Sequence, residues 1–279
     1  MKRTLLAISM VFIMTPWVYA ASDKVEGGIS CADWCNDGEQ MCAFGIAFSG
    51  EITKTTYEQM KEVFEKNSGW RDKVAAIAPL SLNSQGGDVA AALAIGELLR
   101  KERMPVRVEK NAMCVSSCVF VLAGAVDRII SGKVGIRRPY FYPGRSTSPD
   151  EIRDGYRSLM GQLRSYLRKM NISTSLADDM LRIEPADVQF LSSGKLREYG
   201  LVARDPVEQE TLDLQEANRF GLDWLDYVRR KMRTERECPP IEASIVAWRN
   251  CYDKLMRARP CFALFELAGG WSFYPSVAH

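Results

Sequence analysis

The sequence predicts an α/β fold in which a largely parallel sheet is covered by helices. Residues 74–82 form a mainly apolar stretch, as expected of a strand buried on both faces. Residues 88–101, rich in alanine and leucine, follow this stretch directly and are predicted to form a helix. Strand and helix then alternate further along the chain, which is typical of a parallel sheet with helical crossovers.

Local patterns predict the other elements of this fold. Residues 42–48 are predicted to form the first strand, and residues 56–64 a helix with its apolar side chains on one face. Residues 105–109 and 128–130 are predicted as strands, and residues 116–124 as a buried helix between them.

A longer helix is predicted to begin at Ser148. Ser148 and Glu151 have the spacing of a capping box, and Pro149 occupies the first helical position. The apolar stripe of this helix is predicted to form core or a subunit contact. Its members are Ile152, Tyr156, Leu159, Met160, Leu163 and Leu167.

Residues 1–20 have the pattern of an export signal. Lys2 and Arg3 precede an apolar run that is short for a membrane span, and Val18-Tyr19-Ala20 resembles a cleavage site. An uncleaved N-terminal anchor helix is the alternative. We therefore expect a periplasmic or secreted protein that is cleaved near Ala20.

The charge balance gives no support for nucleic acid as a partner. Lys and Arg total 37, and Asp and Glu total 35. Residues 1–20 contain two basic residues and no acidic one, so the chain left after cleavage has 35 basic and 35 acidic residues. A neutral chain lacks the basic surface that phosphate binding requires.

The chain has eight cysteines, an even number that favours disulfides in an oxidising compartment. Metal binding is disfavoured, because no histidine lies near them and no pair has the C-x-x-C spacing. With three members in each outer group, we expect at least one bridge between the N-terminal and C-terminal groups, unless a thiol stays free. The three groups are Cys31, Cys35 and Cys42; Cys114 and Cys118; and Cys238, Cys251 and Cys261.

Three short segments are similar to motifs of the ClpP/crotonase superfamily, and in particular of ClpP-like secreted proteins. They are residues 82–88 (LNSQGGD), 114–118 (CVSSC) and 134–140 (VGIRRPY). The resemblance implies a spiral of β-β-α units over residues 42–204. Outside that range we predict a cysteine-containing segment at 21–41 and a helical extension at 205–279. The extension is expected to be a disulfide-stapled hairpin with helices at 210–232 and 241–256.

The resemblance implies a serine peptidase site. Ser116 would be the nucleophile, and the amides of Gly87, Asp88 and Ser117 would form the oxyanion hole. Asp187 would be the third member of the triad, although its segment is offset by one residue from the ClpP pattern. The two cysteines flanking Ser116 would lock its turn if they are bridged, or fill space as buried thiols if they are not.

Arg137 occupies the position where the resemblance places the catalytic histidine. A guanidinium stays protonated near neutral pH and cannot accept the serine proton. The single histidine, His279, is the last residue, and Lys133 and Lys169 are the alternative bases that a serine–lysine dyad would use. Arg137 is expected to pair with Asp187.

Two functions remain open from the sequence. The chain is either a periplasmic ClpP-like peptidase or a non-catalytic relative that binds a peptide or carboxylate through Arg137 or supports assembly. Crotonase-like acyl-CoA chemistry is disfavoured by export, so no cofactor and no metal are expected. A peptide or protein ligand and homo-oligomers are expected by analogy, and an ATP-dependent unfoldase is not.

Overall fold

The computed structural model describes residues 24–33, 40–69, 76–140, 148–240 and 243–257. The chain divides into two compact units, Met1–Pro206 and Val207–His279. The predicted export signal lies outside the described residues, as do Cys35, Cys261 and His279. Within the described residues, no helix combines the length and apolar composition needed to cross a bilayer.

The first unit is built on a mixed sheet. Its strands are β1 (Lys24–Asp33), β2 (Gln40–Ile52), β3 (Ala76–Ile77), β4 (Leu80–Gly87), β5 (Val106–Val108), β6 (Met113–Val115), β7 (Asp127–Ile130), β8 (Lys133–Ile136), β9 (Gln189–Phe190) and β10 (Ala203–Arg204). They follow the order β10-β7-β5-β4-β6-β8-β9. β2 pairs with β4, and β1 and β3 both pair with β2.

The sheet curls at β4 because this strand changes its partner along its length. Leu80 and Ser81 pair with β5, whereas Ser84 pairs with β6, both in parallel. The opposite edge of β4 pairs with β2, also in parallel. The predicted α/β class is therefore confirmed. β4 lies at the junction between β5 and β6, and this junction positions the candidate site.

The strand predicted at 74–82 is two strands in the structure. Pro79 lies between β3 and β4, and its missing N–H prevents a continuous ladder there. β4 also continues past the predicted end as far as Gly87, and every second residue from Leu80 to Gly86 is buried. The glycine pair thus belongs to the strand itself.

The helices of the first unit are α1 (Lys54–Lys66), α2 (Val89–Lys101), α3 (Cys118–Gly124), α4 (Pro149–Lys169), α5 (Ser175–Arg182) and α6 (Ser193–Tyr199). The capping box of α4 is present as predicted, with the Ser148 side chain accepting from the Glu151 amide. Of the predicted α4 stripe, Met160, Leu163 and Leu167 are buried, whereas Ile152 is 38% exposed.

The second unit contains α7 (Pro206–Phe220), α8 (Trp224–Glu237) and α9 (Ile245–Arg257). The single helix predicted at 210–232 is wrong, because Gly221 adopts φ +64° and Asp223 caps a new helix. A Cys238–Cys251 disulfide joins the end of α8 to α9, so the predicted disulfide-stapled hairpin is confirmed.

Candidate active site

Ser116 lies at a sharp turn between β6 and α3. Its φ is +60°, a left-handed conformation that costs a residue with a Cβ about 1–2 kcal/mol. The Ser116 amide donates to Gly135 O at 3.0 Å, which fixes the turn to β8. A serine on a strained strand-to-helix turn is the arrangement of a nucleophile elbow.

A disulfide joins Cys114 to Cys118 and so brackets Ser116. Both cysteines are fully buried, and their Cα atoms are 5.2 Å apart. The bridged alternative of the prediction is therefore the one found.

The other cysteines fall into two groups. Cys31 lies opposite Cys42 in the β1–β2 ladder. Since Cys238 is bonded to Cys251, the expected link between the N-terminal and C-terminal groups could involve only Cys261, which lies outside the described residues.

The glycine pair packs directly against the serine turn. Gly86 has φ +99°, and a Cβ placed on it would lie 2.8 Å from Ser116 Cβ and 2.7 Å from Val115 O. A Cβ on Gly87, which has φ +149°, would lie 2.2 Å from Ile52 O. Only glycine fits both the backbone conformation and the space at these positions.

Replacing Gly86 by alanine is expected to lower the free energy of unfolding by about 2 kcal/mol or more, from the left-handed φ and the overpacking together. Urea unfolding of the full chain measures this loss. Gly161→Ala is the matched control, because the helical Gly161 has nothing within 4 Å of its Cβ position. Equal unfolding midpoints for the two variants would contradict the close packing of Gly86 on the elbow.

Two backbone amides remain as candidate oxyanion donors, those of Gly87 and Ser117. The Asp88 amide donates to Ile52 O at 2.7 Å, so it is engaged in the ladder with β2 and we exclude it from the predicted set. The Ser117 amide lies 3.1 Å from the Cβ position of Gly86, next to the same turn.

Buried hydroxyl groups hold the glycine turn in place. Ser117 Oγ donates to Gly87 O at 3.0 Å, and Ser84 Oγ donates to Gly50 O at 2.6 Å. Ser84 Oγ also accepts from the Gly86 amide at 3.1 Å. Sequence analysis missed the role of Ser84, although its position two residues before the glycine pair was a usable signal.

Ser116 opens into a cleft of about 1550 Å³. Its walls come from β4, α2, the serine turn, the segment after β8 and one face of α4. The α4 residues in this wall are Leu159, Gln162, Ser165, Tyr166 and Lys169. The predicted site residues Gly87, Asp88, Ser116, Ser117 and Arg137 all line this one cleft.

Arg137 is a half-buried cation in the wall of the cleft. Its guanidinium lies over the ring of Tyr140, 5.2 Å from the ring centroid. Its Nε is buried and has no hydrogen-bond partner within the part of the chain that the structure describes. Among the described residues it has no carboxylate partner, so the pairing predicted with Asp187 does not form. Asp187 is instead exposed in a loop, where its amide donates to Glu184 O, and it is not part of the cleft wall.

Neither candidate lysine is arranged as a general base. Such a lysine has to be desolvated. Lys133 is exposed, with its Nζ over the Phe190 ring and outside the cleft wall. Lys169 does line the cleft, but it is exposed and its Nζ lies 2.7 Å from Glu97 Oε1. The described residues contain no histidine.

Comparison with known proteins gives structural neighbours only. No protein-family model matches the chain, and no curated protein matches it. A mutant of the 1510-N membrane-bound stomatin-specific protease is 20% identical with a TM-score of 0.42, and the match covers 60% of this chain and 80% of that one.

Two further solved structures are similar to this chain to the same degree. Another mutant of that protease, in complex with a substrate peptide, is 21% identical over 60% of this chain and 76% of that one, with a TM-score of 0.42. ClpP1 from Listeria monocytogenes is 17% identical over 57% of this chain and 88% of that one, again with a TM-score of 0.42.

Proposed function

We propose that this chain is a ClpP-like protein of the serine peptidase type whose cleft binds a peptide through a carboxylate and cleaves it poorly. One observation carries the proposal: Arg137 lines the same cleft as Ser116 and has no carboxylate partner among the described residues. A half-buried cation without an anion is a site that a ligand carboxylate can complete.

The cleft offers two kinds of donor to such a ligand. The guanidinium of Arg137 can hold a carboxylate through two parallel hydrogen bonds, which are stronger than those between neutral groups. Stacking on Tyr140 restricts the guanidinium and lowers the entropy that is lost on binding. The amides of Gly87 and Ser117 can receive a ligand oxygen beside Ser116.

Cleavage is expected to be slow because no residue in the described part of the chain is placed to act as the base of Ser116. A positioned general base contributes about 10²–10⁴-fold to the rate of the catalysed reaction. Arg137 cannot take that role, Asp187 lies outside the cleft wall, and Lys169 is paired with Glu97. The cleft therefore supports binding better than hydrolysis.

A working hydrolase is the second candidate, and the strained backbone of Ser116 favours it. A non-glycine residue at φ +60° is the kind of strain that persists at active sites. In that case the base would come from outside the described residues, and His279 is the single histidine that could supply it.

We also propose that the mature chain works in an oxidising compartment such as the periplasm. Two disulfides among the described residues, Cys114–Cys118 and Cys238–Cys251, support this location because such bonds are rare in reducing compartments. Assembly into homo-oligomers is proposed only by analogy with the family that the motifs resemble.

Titration calorimetry with acetyl-alanyl-leucyl-phenylalanine tests the carboxylate site. The free acid is expected to bind at least about tenfold more tightly than its C-terminal amide, as one charge-assisted contact would give. Arg137→Gln should remove this preference. Arg168→Gln, at an exposed arginine outside the cleft wall, should keep it. Equal affinity of the native protein for acid and amide would refute the proposal.

A further inference from the structure

The Cys114–Cys118 disulfide closes a ring with Ser116 at its centre. Four fully extended residues span roughly 13 Å, whereas the Cα atoms of the two cysteines are 5.2 Å apart, so the bond encloses a tight chain reversal. We propose that this disulfide is the positioning clamp that holds Ser116 and Ser117 in their ligand-binding conformation. The inference rests on the proposed function of the cleft.

The start of α3 lacks the usual means of fixing a helix end. Ser117 occupies the N-cap position, but its side chain makes no cap hydrogen bond, because its hydroxyl donates to Gly87 O instead. α3 has seven residues, and a helix of that length is unstable without tertiary support. The disulfide supplies a covalent connection at Cys118, the first residue of this helix.

The other end of the bond is firmly anchored. Cys114 is the central residue of β6, where it pairs with Ser84 of β4 and with Val134 of β8. The bond therefore ties the first residue of α3 to the middle of the sheet. Between these two points Ser116 is held at φ +60°, a conformation that an unrestrained residue would leave.

The amide of Ser117 depends on this arrangement. It is the first amide after the strained residue, and it lies beside Gly86 only while the turn stays closed. Without the disulfide, a ligand would have to restore the left-handed turn on binding. We expect the affinity for the ligand to fall about tenfold. This factor corresponds to the free-energy cost of placing one residue in the left-handed conformation.

A Cys114→Ala/Cys118→Ala variant tests the clamp, with Cys238→Ala/Cys251→Ala as the matched control. Two measurements are made on each full-length protein: hydrogen exchange of residues 113–119 and affinity for acetyl-alanyl-leucyl-phenylalanine. The first variant should exchange faster in this segment than the native protein, with β4 unchanged, and should bind about tenfold more weakly. The control should match the native protein in both.

Reduction of the Cys238→Ala/Cys251→Ala protein by dithiothreitol, continued until alkylation and mass spectrometry detect thiols at 114 and 118, provides a second route if the first variant does not fold. The dithiol breaks the Sγ–Sγ bond, leaves thiols at 114 and 118, and becomes a cyclic disulfide. Unchanged exchange at 113–119, or faster exchange with unchanged affinity, would overturn the clamp. If the native protein does not bind the peptide, the proposed function fails, and exchange at 113–119 alone decides the role of the disulfide.

Discussion

Arg137→His is expected to make Ser116 react with a fluorophosphonate probe about a hundredfold faster than in the native protein, the lower range for a general base. Histidine can accept the serine proton near neutral pH, and position 137 lines the same cleft as Ser116. The gain should stay near the lower end because the exposed Asp187 is not placed to orient the imidazole. Intact-protein mass spectrometry measures the rate of adduct formation.

Two further variants identify the source of any increase in the labelling rate. Ser116→Ala in the Arg137→His background should abolish labelling, which places the adduct on this serine. Arg137→Gln removes the positive charge without supplying a base and should stay unreactive. Native protein that already labels at Ser116 as fast as Arg137→His would mean that a base exists elsewhere, and hydrolysis would then become the leading function.

Asp205→Ala is expected to lower the free energy of unfolding by about 3–5 kcal/mol, the usual cost of removing one partner from a buried ion pair. Asp205 is fully buried and bonds Arg100 at 3.0 Å, with Asn171 donating to both of its oxygens. Its negative charge also acts on Arg128, whose pKa is lowered to about 10 by burial and next by the charge of Arg100. Without the carboxylate, the buried guanidinium of Arg128 and the partly buried one of Arg100, which both donate to Ala123 O, would lose their neighbouring anion.

This cluster also supports the far end of the helix that begins beside Ser116. Arg128 donates to Leu122 O and Ala123 O at the end of α3. Denaturant unfolding of the full chain measures the loss, with Asp127→Ala as the control. Asp127 pairs with Arg204 at 3.1 Å near the surface and should cost at most about 1 kcal/mol. If Asp205→Ala lowers the free energy of unfolding no more than Asp127→Ala does, the stabilising role of the buried Asp205 carboxylate is contradicted.

Regular local signals predicted much of the fold. The capping box of α4 and the helix after the glycine pair follow from neighbouring residues, and both are present. The bridge between Cys114 and Cys118 was one of two alternatives that the sequence left open. The break at Pro79 and the new helix after Gly221 were missed, because an apolar run or a helical pattern continues across both. There the conformation of a single residue outweighs the surrounding pattern.

The candidate site was predicted as a set of residues but not as a set of contacts. Sequence motifs selected Ser116, Gly87 and Arg137, which line one cleft. They could not show that the Asp88 amide is engaged by Ile52 or that Arg137 stacks on Tyr140. These contacts depend on strand register and on side-chain direction, which motif spacing does not determine.

The most direct test of a cleft that binds a peptide but cleaves it poorly is to incubate native protein with acetyl-alanyl-leucyl-phenylalanine and follow both partners by mass spectrometry. We predict that the peptide is recovered intact from its complex with the protein, and that Ser116→Ala behaves in the same way. Cleavage by the native protein that is as fast as cleavage by Arg137→His, and that is lost in Ser116→Ala, would contradict this account.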